Sequence, residues 1–228
     1  MTPRSQRLAA VVFATSLASF VAVAVAVVTW ESAAQRDVQF VRWVHSSAPD
    51  ALIDGMRVLT YAGSVFLLGP LMLVGVVFFI RRRRRTAAVL VLLALVGSLL
   101  VDEVLKAGFR RARPEFEDPF VQLTTYAFPS GHAFGAAAAY GALALAIASV
   151  VTTRRERLLA FFAAASLVVV VATSRVILGV HYVSDVLAGV AAGVALVSGL
   201  ALVLARTGRQ LLGPVRRDQE TQNTSFDT

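Results

Sequence analysis

Apolar residues run in long uninterrupted blocks along this chain, and polar or charged residues collect in the gaps between them. A membrane-crossing helix needs roughly 20 consecutive apolar residues, and six blocks of that scale are present. They run from Leu8 to Trp30, from about Thr60 to Ile80, from Thr86 to Val101 with a polar extension toward Phe109, from Gly131 to Thr153, from Leu158 to Ser174 and from about Tyr182 to Ala205. Runs of Val, Ala and Leu are compatible with strands, but such length without alternation favours helices, whose backbone groups are satisfied within the segment. The expected fold is all-α, a polytopic six-transmembrane-helix bundle over residues 1–206. The stretch Thr207 to Thr228 is polar and lacks an apolar period, which predicts a disordered cytoplasmic tail.

Two segments qualify this picture. Between the first two spans, Glu31 to Leu59 mixes Val38, Val41, Trp43 and Val44 with charge, and Trp30 and Trp43 suit the headgroup layer. It reads either as an interfacial helix or as a helical connector lying on the bundle. The first block has some marks of a secretory signal, because Arg4 and Arg7 precede it and Ser32-Ala33-Ala34 follows it. Its 23 residues exceed the roughly 7–15 of a signal core, so an uncleaved anchor is preferred.

Composition agrees with the blocks: 57% of the 228 residues are hydrophobic and the mean hydropathy is +0.71, well beyond a soluble domain. The net charge of +8 raises the question of nucleic acid, but the basic residues form no single face and alternate with the spans, so nucleic acid is not expected. Arg4 and Arg7, the run Arg81 to Arg85, then Arg154, Arg155 and Arg157, and finally Arg206, Arg209, Arg216 and Arg217 all fall on one side of a six-span bundle. The positive-inside rule makes that side, with both termini, cytoplasmic. Five of the remaining cations, Lys106, Arg110, Arg111, Arg113 and Arg175, gather on the opposite side, where topology disfavours them. They need a local explanation. The absence of cysteine removes disulfides, thiolate chemistry and cysteine metal sites.

Three polar stretches supply that explanation: Lys106 with Arg113-Pro114, Pro129-Ser130-Gly131-His132, and Ser174-Arg175 followed by His181 and Asp185. A phosphoryl group carries about −1.5 to −2 charge and several acceptor oxygens. Arg113 and Arg175 offer planar forks that match it, and Lys106 adds a point charge. Ser130 and Gly131 open the fourth span, where free N–H groups attract anions, although Ser130 is equally suited to be a plain N-cap. Two histidines remain for chemistry, since one imidazole can attack phosphorus while another moves protons. Asp185 follows His181 by four residues, one helical turn, close enough to orient the ring.

The segments KAGFRRARP, PSGH and SRVILGVHYVSD, about 80 residues from Lys106 to Asp185, resemble the three signature motifs of the type-2 phosphatidic acid phosphatase superfamily. The resemblance implies that His181 attacks phosphorus, that His132 is the general acid and then the base for water, and that Asp185 orients His181. It implies that Lys106, Arg113, Arg175, Ser130 and the Gly131 amide hold the phosphoryl oxygens, with no metal or other cofactor. Arg110 is expected to support the site and Arg111 to have no part in it. Asp102 and Glu103 are expected to pair with nearby cations, Ser174 either to position Arg175 or to be structural, and His45 to have no role.

The expected function is hydrolysis of a lipid phosphate or diphosphate at the outer leaflet, through a phosphohistidine. Polyprenyl diphosphate, phosphatidylglycerol phosphate and phosphatidic acid are the candidate substrates. A phosphatase of soluble esters, a haloperoxidase and a noncatalytic phospholipid binder or transporter are the alternatives. Six spans argue against the haloperoxidase, and the His132, His181 and Asp185 set argues against a pure binder. Small residues in AGVAAGVALVSG, Ala188 to Gly199, allow close helix packing, inside the bundle or between subunits, so the oligomeric state stays open.

Overall fold

Eight α-helices and no strand form among the residues described by the computed structural model, 3–117, 119–121 and 123–206. The expected tail, 207–228, lies outside the described residues. In chain order the helices are α1 (Pro3–Thr29), α2 (Glu31–Ser47), α3 (Asp50–Leu59), α4 (Val65–Arg81), α5 (Arg85–Phe109), α6 (Gly131–Ala148), α7 (Arg154–Ile177) and α8 (Val183–Arg206). A 3₁₀ turn, Thr60–Gly63, joins α3 to α4, so those two form one long span. Six segments are long and apolar enough to cross a bilayer. The protein is an all-helical, multi-pass membrane protein.

The helix ends follow from local chemistry. Thr153 accepts from the Glu156 backbone N–H while the Glu156 carboxylate accepts from the Thr153 backbone, a reciprocal capping box that starts α7. That cap requires Thr153 outside a helix, so α6 stops at Ala148 rather than at the expected Thr153. At the other end of α4, Arg83 takes a left-handed φ of 57°. Its N–H reaches the Ile80 carbonyl and that of Arg84 reaches Phe79, a Schellman closure.

The bundle is built around α6. Of its spanning segment 61% is buried, against 6% for α1, because its alanine-rich sequence lets neighbours approach from all sides. Association of helices in lipid relies on packing and interhelical hydrogen bonds rather than on hydrophobic burial. Both are present here. A Cβ on Gly189 would lie 2.6 Å from the Ser130 carbonyl oxygen, and one on Gly193 would lie 2.7 Å from that of Phe134. The close-packing stretch of α8 is therefore a contact within the chain, against α6, and a methyl at either position would cost about 1–3 kcal/mol in overpacking. Tyr140 on α6 donates to the Ala62 carbonyl at 2.7 Å and ties the core helix to the 3₁₀ turn. Large apolar side chains such as Phe66, Val104 and Phe162, at 86, 71 and 73% exposure, cover the outside. A surface of that kind faces hydrocarbon rather than water.

The connector from Glu31 is two helices, not one. On α2, Val41 is buried while Phe40 and Trp43 pack together and stay exposed. The C-terminus of α5, the described residues of the loop between α5 and α6, the N-termini of α6 and α8 and the C-terminus of α7 meet at the same end of the bundle as α2 and α3.

Candidate active site

Each of the eight residues singled out in the sequence sits at an element end or in the loop between ends, and all face one region. On the last turns of α5, Lys106 Nζ lies 2.6 Å from Asp102 Oδ2, the expected i,i+4 pair. A Cβ on Gly131 would meet Asp102 Oδ2 at 2.7 Å and Lys106 Nζ at 2.9 Å. The first motif thus touches the second at its glycine, and a side chain there would push the Asp102–Lys106 pair aside.

The chain leaves α5 through Arg110, whose φ of 48° is left-handed, and the loop turns back over the bundle end. Arg113 fastens it. Its Nε and Nη2 donate to the Thr125 carbonyl at 2.6 Å, the Thr125 hydroxyl at 2.8 Å and the Tyr126 carbonyl at 3.2 Å. Its Nη1 donates to the Val180 carbonyl at 2.6 Å and stands 3.0 Å from His181 Nε2. A guanidinium has only protons to give, so this contact makes Nε2 the unprotonated nitrogen and leaves the ring proton on Nδ1, facing Asp185. The Nδ1 to Oδ2 distance is 3.5 Å, an ion-pair spacing in which the two atoms do not hydrogen-bond.

Ser130 occupies the N-cap position of α6, yet its hydroxyl caps nothing. The residue is fully buried and its Oγ has no hydrogen-bond partner among the described residues. Its backbone N–H instead donates to the Asp185 carbonyl at 2.9 Å and joins the start of α6 to the start of α8. Arg175, 3% exposed at the end of α7, donates through Nη1 to the Thr60 hydroxyl at 2.8 Å. Its Nε is a second buried donor without a partner. Buried unsatisfied donors are costly. A hydroxyl and a guanidinium N–H left open beside two further cations are what an anion would fill. His132 lies on the first turn of α6.

Electrostatically the group acts as one. Burial in the first place, and then the charges of Arg113, Arg175, Lys106 and His132, hold the His181 imidazole well below its ordinary 6.5. The ring is therefore neutral at physiological pH. Burial also lowers Arg113 from its usual range, with Asp185 and Asp102 opposing, and the guanidinium remains a cation.

Two expectations about the loop reverse. Arg110 is exposed and, among the described residues, its side chain donates to Ala107, its own helix end. Arg111, expected to be uninvolved, contacts Asp185 Oδ1 at 2.5 Å, Ser184 Oγ at 2.7 Å and Asp37 Oδ2 at 3.0 Å. Left-handed Arg110 reorients the chain, so two adjacent arginines point to different places. Sequence reading also missed Asp37, Thr60 and Thr125, which carry no motif. Ser174 donates back to the Val171 carbonyl at 2.7 Å and is structural. His45 stacks between Phe116 and Phe120 at 3.8 and 4.1 Å, part of the packing under the loop.

A six-span helical bundle with a buried imidazole, a buried carboxylate and several cations gathered at one end describes a polytopic membrane protein. Residues 87–209 match the PAP2 superfamily, and the chain belongs to it. Phosphatidylglycerophosphatase B of Bacillus subtilis (strain 168) is 34% identical over 147 residues, covering 64% of this chain and 71% of that protein. The crystal structure of a transmembrane PAP2 type phosphatidylglycerolphosphate phosphatase from Bacillus subtilis superposes with a TM-score of 0.78 at 27% identity, over 85% of this chain and 96% of the other. Aquifex aeolicus LpxE shares the fold, with a TM-score of 0.50 at 22% identity over 72% and 93% of the two chains.

Proposed function

We propose that this protein is an integral-membrane phosphatase that hydrolyses a lipid phosphate by way of a phosphohistidine. The observation that carries the reading is His181: a buried, neutral imidazole with Arg113 at Nε2, Asp185 facing Nδ1, and two open donors, Ser130 Oγ and Arg175 Nε, close by in the same cradle. Such a set binds a phosphoryl group and offers it a nucleophile.

In the first step Nε2 of His181 forms a bond to phosphorus and the bond from phosphorus to the lipid oxygen breaks. That oxygen takes a proton from His132. Asp185 stabilises the positive charge that develops on the His181 ring. In the second step His132 takes a proton from water, the water oxygen attacks phosphorus, and the P–N bond returns its electron pair to Nε2, releasing inorganic phosphate. Lys106, Arg113, Arg175, Ser130 and the Gly131 amide neutralise the phosphoryl oxygens throughout, a preorganised electrostatic role that in other phosphatases falls to metal ions.

Resemblance to phosphatidylglycerophosphatase B favours phosphatidylglycerol phosphate over phosphatidic acid and polyprenyl diphosphate. The alternation of Arg81 to Arg85 and Arg154 to Arg157 with the spans favours an extracytoplasmic site. Phosphate release by detergent-purified protein on these three lipids in excess EDTA, with His181→Ala as control, tests the reading. Release by wild type alone is expected, with phosphatidylglycerol phosphate fastest. Silence of folded wild type on all three overturns it. Sidedness is read separately: the chain has no cysteine, so a cysteine placed at Arg83 and another at Thr124 report thiol accessibility from each face of intact cells. Labelling at position 124 from outside and at position 83 only from within is the expected pattern.

A further inference from the structure

Among the described residues, the contacts of the Arg111 guanidinium are with Asp185 and its neighbours rather than with the residues proposed to hold the phosphoryl group. Nη1 meets Asp185 Oδ1 and Ser184 Oγ, Nη2 meets Asp37 Oδ2, and Cζ lies over the Tyr182 ring, 4.2 Å from its centroid. Asp37 on α2 holds the far side. Its carboxylate accepts from the Ser184 hydroxyl through Oδ2 and from the Ser184 backbone N–H through Oδ1 at 3.3 Å. The two side chains are 13% and 12% exposed, so the pair is largely shielded from solvent.

Asp185 itself has no exposed surface. Its Oδ2 accepts from the Tyr182 N–H at 2.9 Å and faces His181 Nδ1, while Oδ1 is occupied by Arg111. A buried carboxylate stays ionised only where a cation or several donors compensate it. Arg113 stands on the other side of the imidazole, at Nε2, and His181 and Tyr182 lie on the carboxylate's own turn. Among the described residues Arg111 is the one cation in contact with a carboxylate oxygen of Asp185, other than His181 when protonated. Held at one oxygen by a guanidinium and at the other by an amide, the carboxylate cannot rotate away from Nδ1.

We infer that Arg111 and Asp37 are positioning residues for the reaction: Asp37 fixes Arg111, and Arg111 favours the carboxylate form of Asp185 and aims it at the His181 ring. The inference rests on His181 being the nucleophile. It gives α2 a role beyond lying at the interface, because that helix carries one end of the chain Asp37, Arg111, Asp185, His181. A plain staple between α2 and α8 would use the same contacts, so the two must be separated by kinetics.

The test measures kcat and KM between pH 5 and 9, with thermal stability alongside, for wild type, Arg111→Ala, Arg111→Lys, Asp37→Asn and the Arg111→Ala/Asp37→Asn double variant. The substrate is whichever of the three lipids wild type hydrolyses fastest. Loss of an orienting carboxylate in a triad reaches about 10⁴-fold in kcat, and loss of the group holding it should be smaller. Arg111→Ala is expected to lower kcat by roughly 10²-fold with KM changed less than about threefold. Its acid limb should move to higher pH, because Asp185 is then more easily protonated. Arg111→Lys should recover about tenfold, since a point charge replaces the charge but not the fork. Asp37→Asn should cost about tenfold and add nothing to Arg111→Ala. Unchanged kcat in Arg111→Ala overturns the inference, as does a loss that tracks thermal stability with an unmoved pH profile and no recovery by lysine. Should Arg111→Ala not fold, Asp37→Asn and Arg111→Lys decide by the same acid limb. A silent wild type would overturn the phosphatase reading and this inference together, whereas an active wild type with indifferent variants overturns this inference alone.

Discussion

Two runs of cations cap opposite ends of the bundle, Arg81 to Arg85 between α4 and α5, and Lys106 to Arg113 after α5. By composition they look alike, and each contains one arginine in the left-handed region, Arg83 at φ 57° and Arg110 at φ 48°. Their surroundings differ completely. In the first run four of the five arginines are exposed, and among the described residues none pairs with a carboxylate; Arg82 lies over the Phe78 ring at 5.4 Å. In the second, Lys106, Arg111 and Arg113 each meet charged or backbone acceptors within 3 Å. A charge run shows its use through its partners, and the first run has no carboxylate partner among the described residues.

The largest break of this comparison is at the group that the second run surrounds. His181→Ala should lower turnover by about 10⁴-fold or more, as expected for removal of a nucleophile, while a five-fold Gln replacement of Arg81 to Arg85 should leave phosphate release in detergent within twofold. A comparable loss from the second variant would mean that both ends serve the reaction. Arg175→Lys probes the next tier. Lysine keeps the charge but has no Nε to offer and cannot reach the Thr60 hydroxyl with the same fork. Removal of one well-placed donor costs about 10²–10³ in kcat, and a loss in that range with a small change in KM is expected from steady-state kinetics.

A pH measurement sharpens the contrast between buried and exposed ends. The folded value of His181 lies well below 6.5 because of burial and the surrounding cations, so as pH falls through about 6.5 the unfolded chain takes up a proton that the native site refuses. Where the unfolded state binds more protons, stability rises with pH. The contribution of His181 is thus complete above 6.5 and is lost progressively below it, at most about 1.4 kcal/mol per pH unit for one group. Melting temperatures in detergent should fall more steeply between pH 6.5 and 5 for wild type than for His181→Gln. Parallel curves would mean that the imidazole is not held neutral.

Much of this could be read from the chain, for reasons visible in particular residues. The spans were legible because a bilayer demands uninterrupted apolar length, and the grouping of the eight proposed site residues because they fall in three short motifs that the fold brings to one end. The end of α6 was misplaced at Thr153: the apolar character of Val150 and Val151 extended the block past Ala148 and obscured the capping-box spacing Thr153-Arg154-Arg155-Glu156 that starts α7. Asp37 and Thr60 were not legible. Their partners lie 74 and 115 residues away, and nothing local distinguishes one aspartate on an amphipathic helix from another. The exchange of roles between Arg110 and Arg111 had the same origin, because the left-handed turn that separates them is a property of the folded loop.

That turn supplies the smallest effect. A residue with a Cβ in the left-handed region is disfavoured by roughly 1–2 kcal/mol relative to right-handed backbone, and glycine relieves it at the expense of greater freedom in the unfolded chain. Arg83 closes the Schellman motif of α4 and Arg110 closes α5 through its N–H to the Lys106 carbonyl. Among the described residues the side chain of Arg110 gives one exposed hydrogen bond, to Ala107. Arg83→Gly and Arg110→Gly should each raise stability by less than about 1 kcal/mol, read as a rise of a few degrees at most in melting temperature, and both should retain wild-type kcat. The two ends then behave alike where only backbone geometry is at stake, and differ where side-chain partners are. A fall in kcat confined to Arg110→Gly would show that the turn into the site loop depends on the arginine itself, and the sharp division between Arg110 and Arg111 would have to be given up.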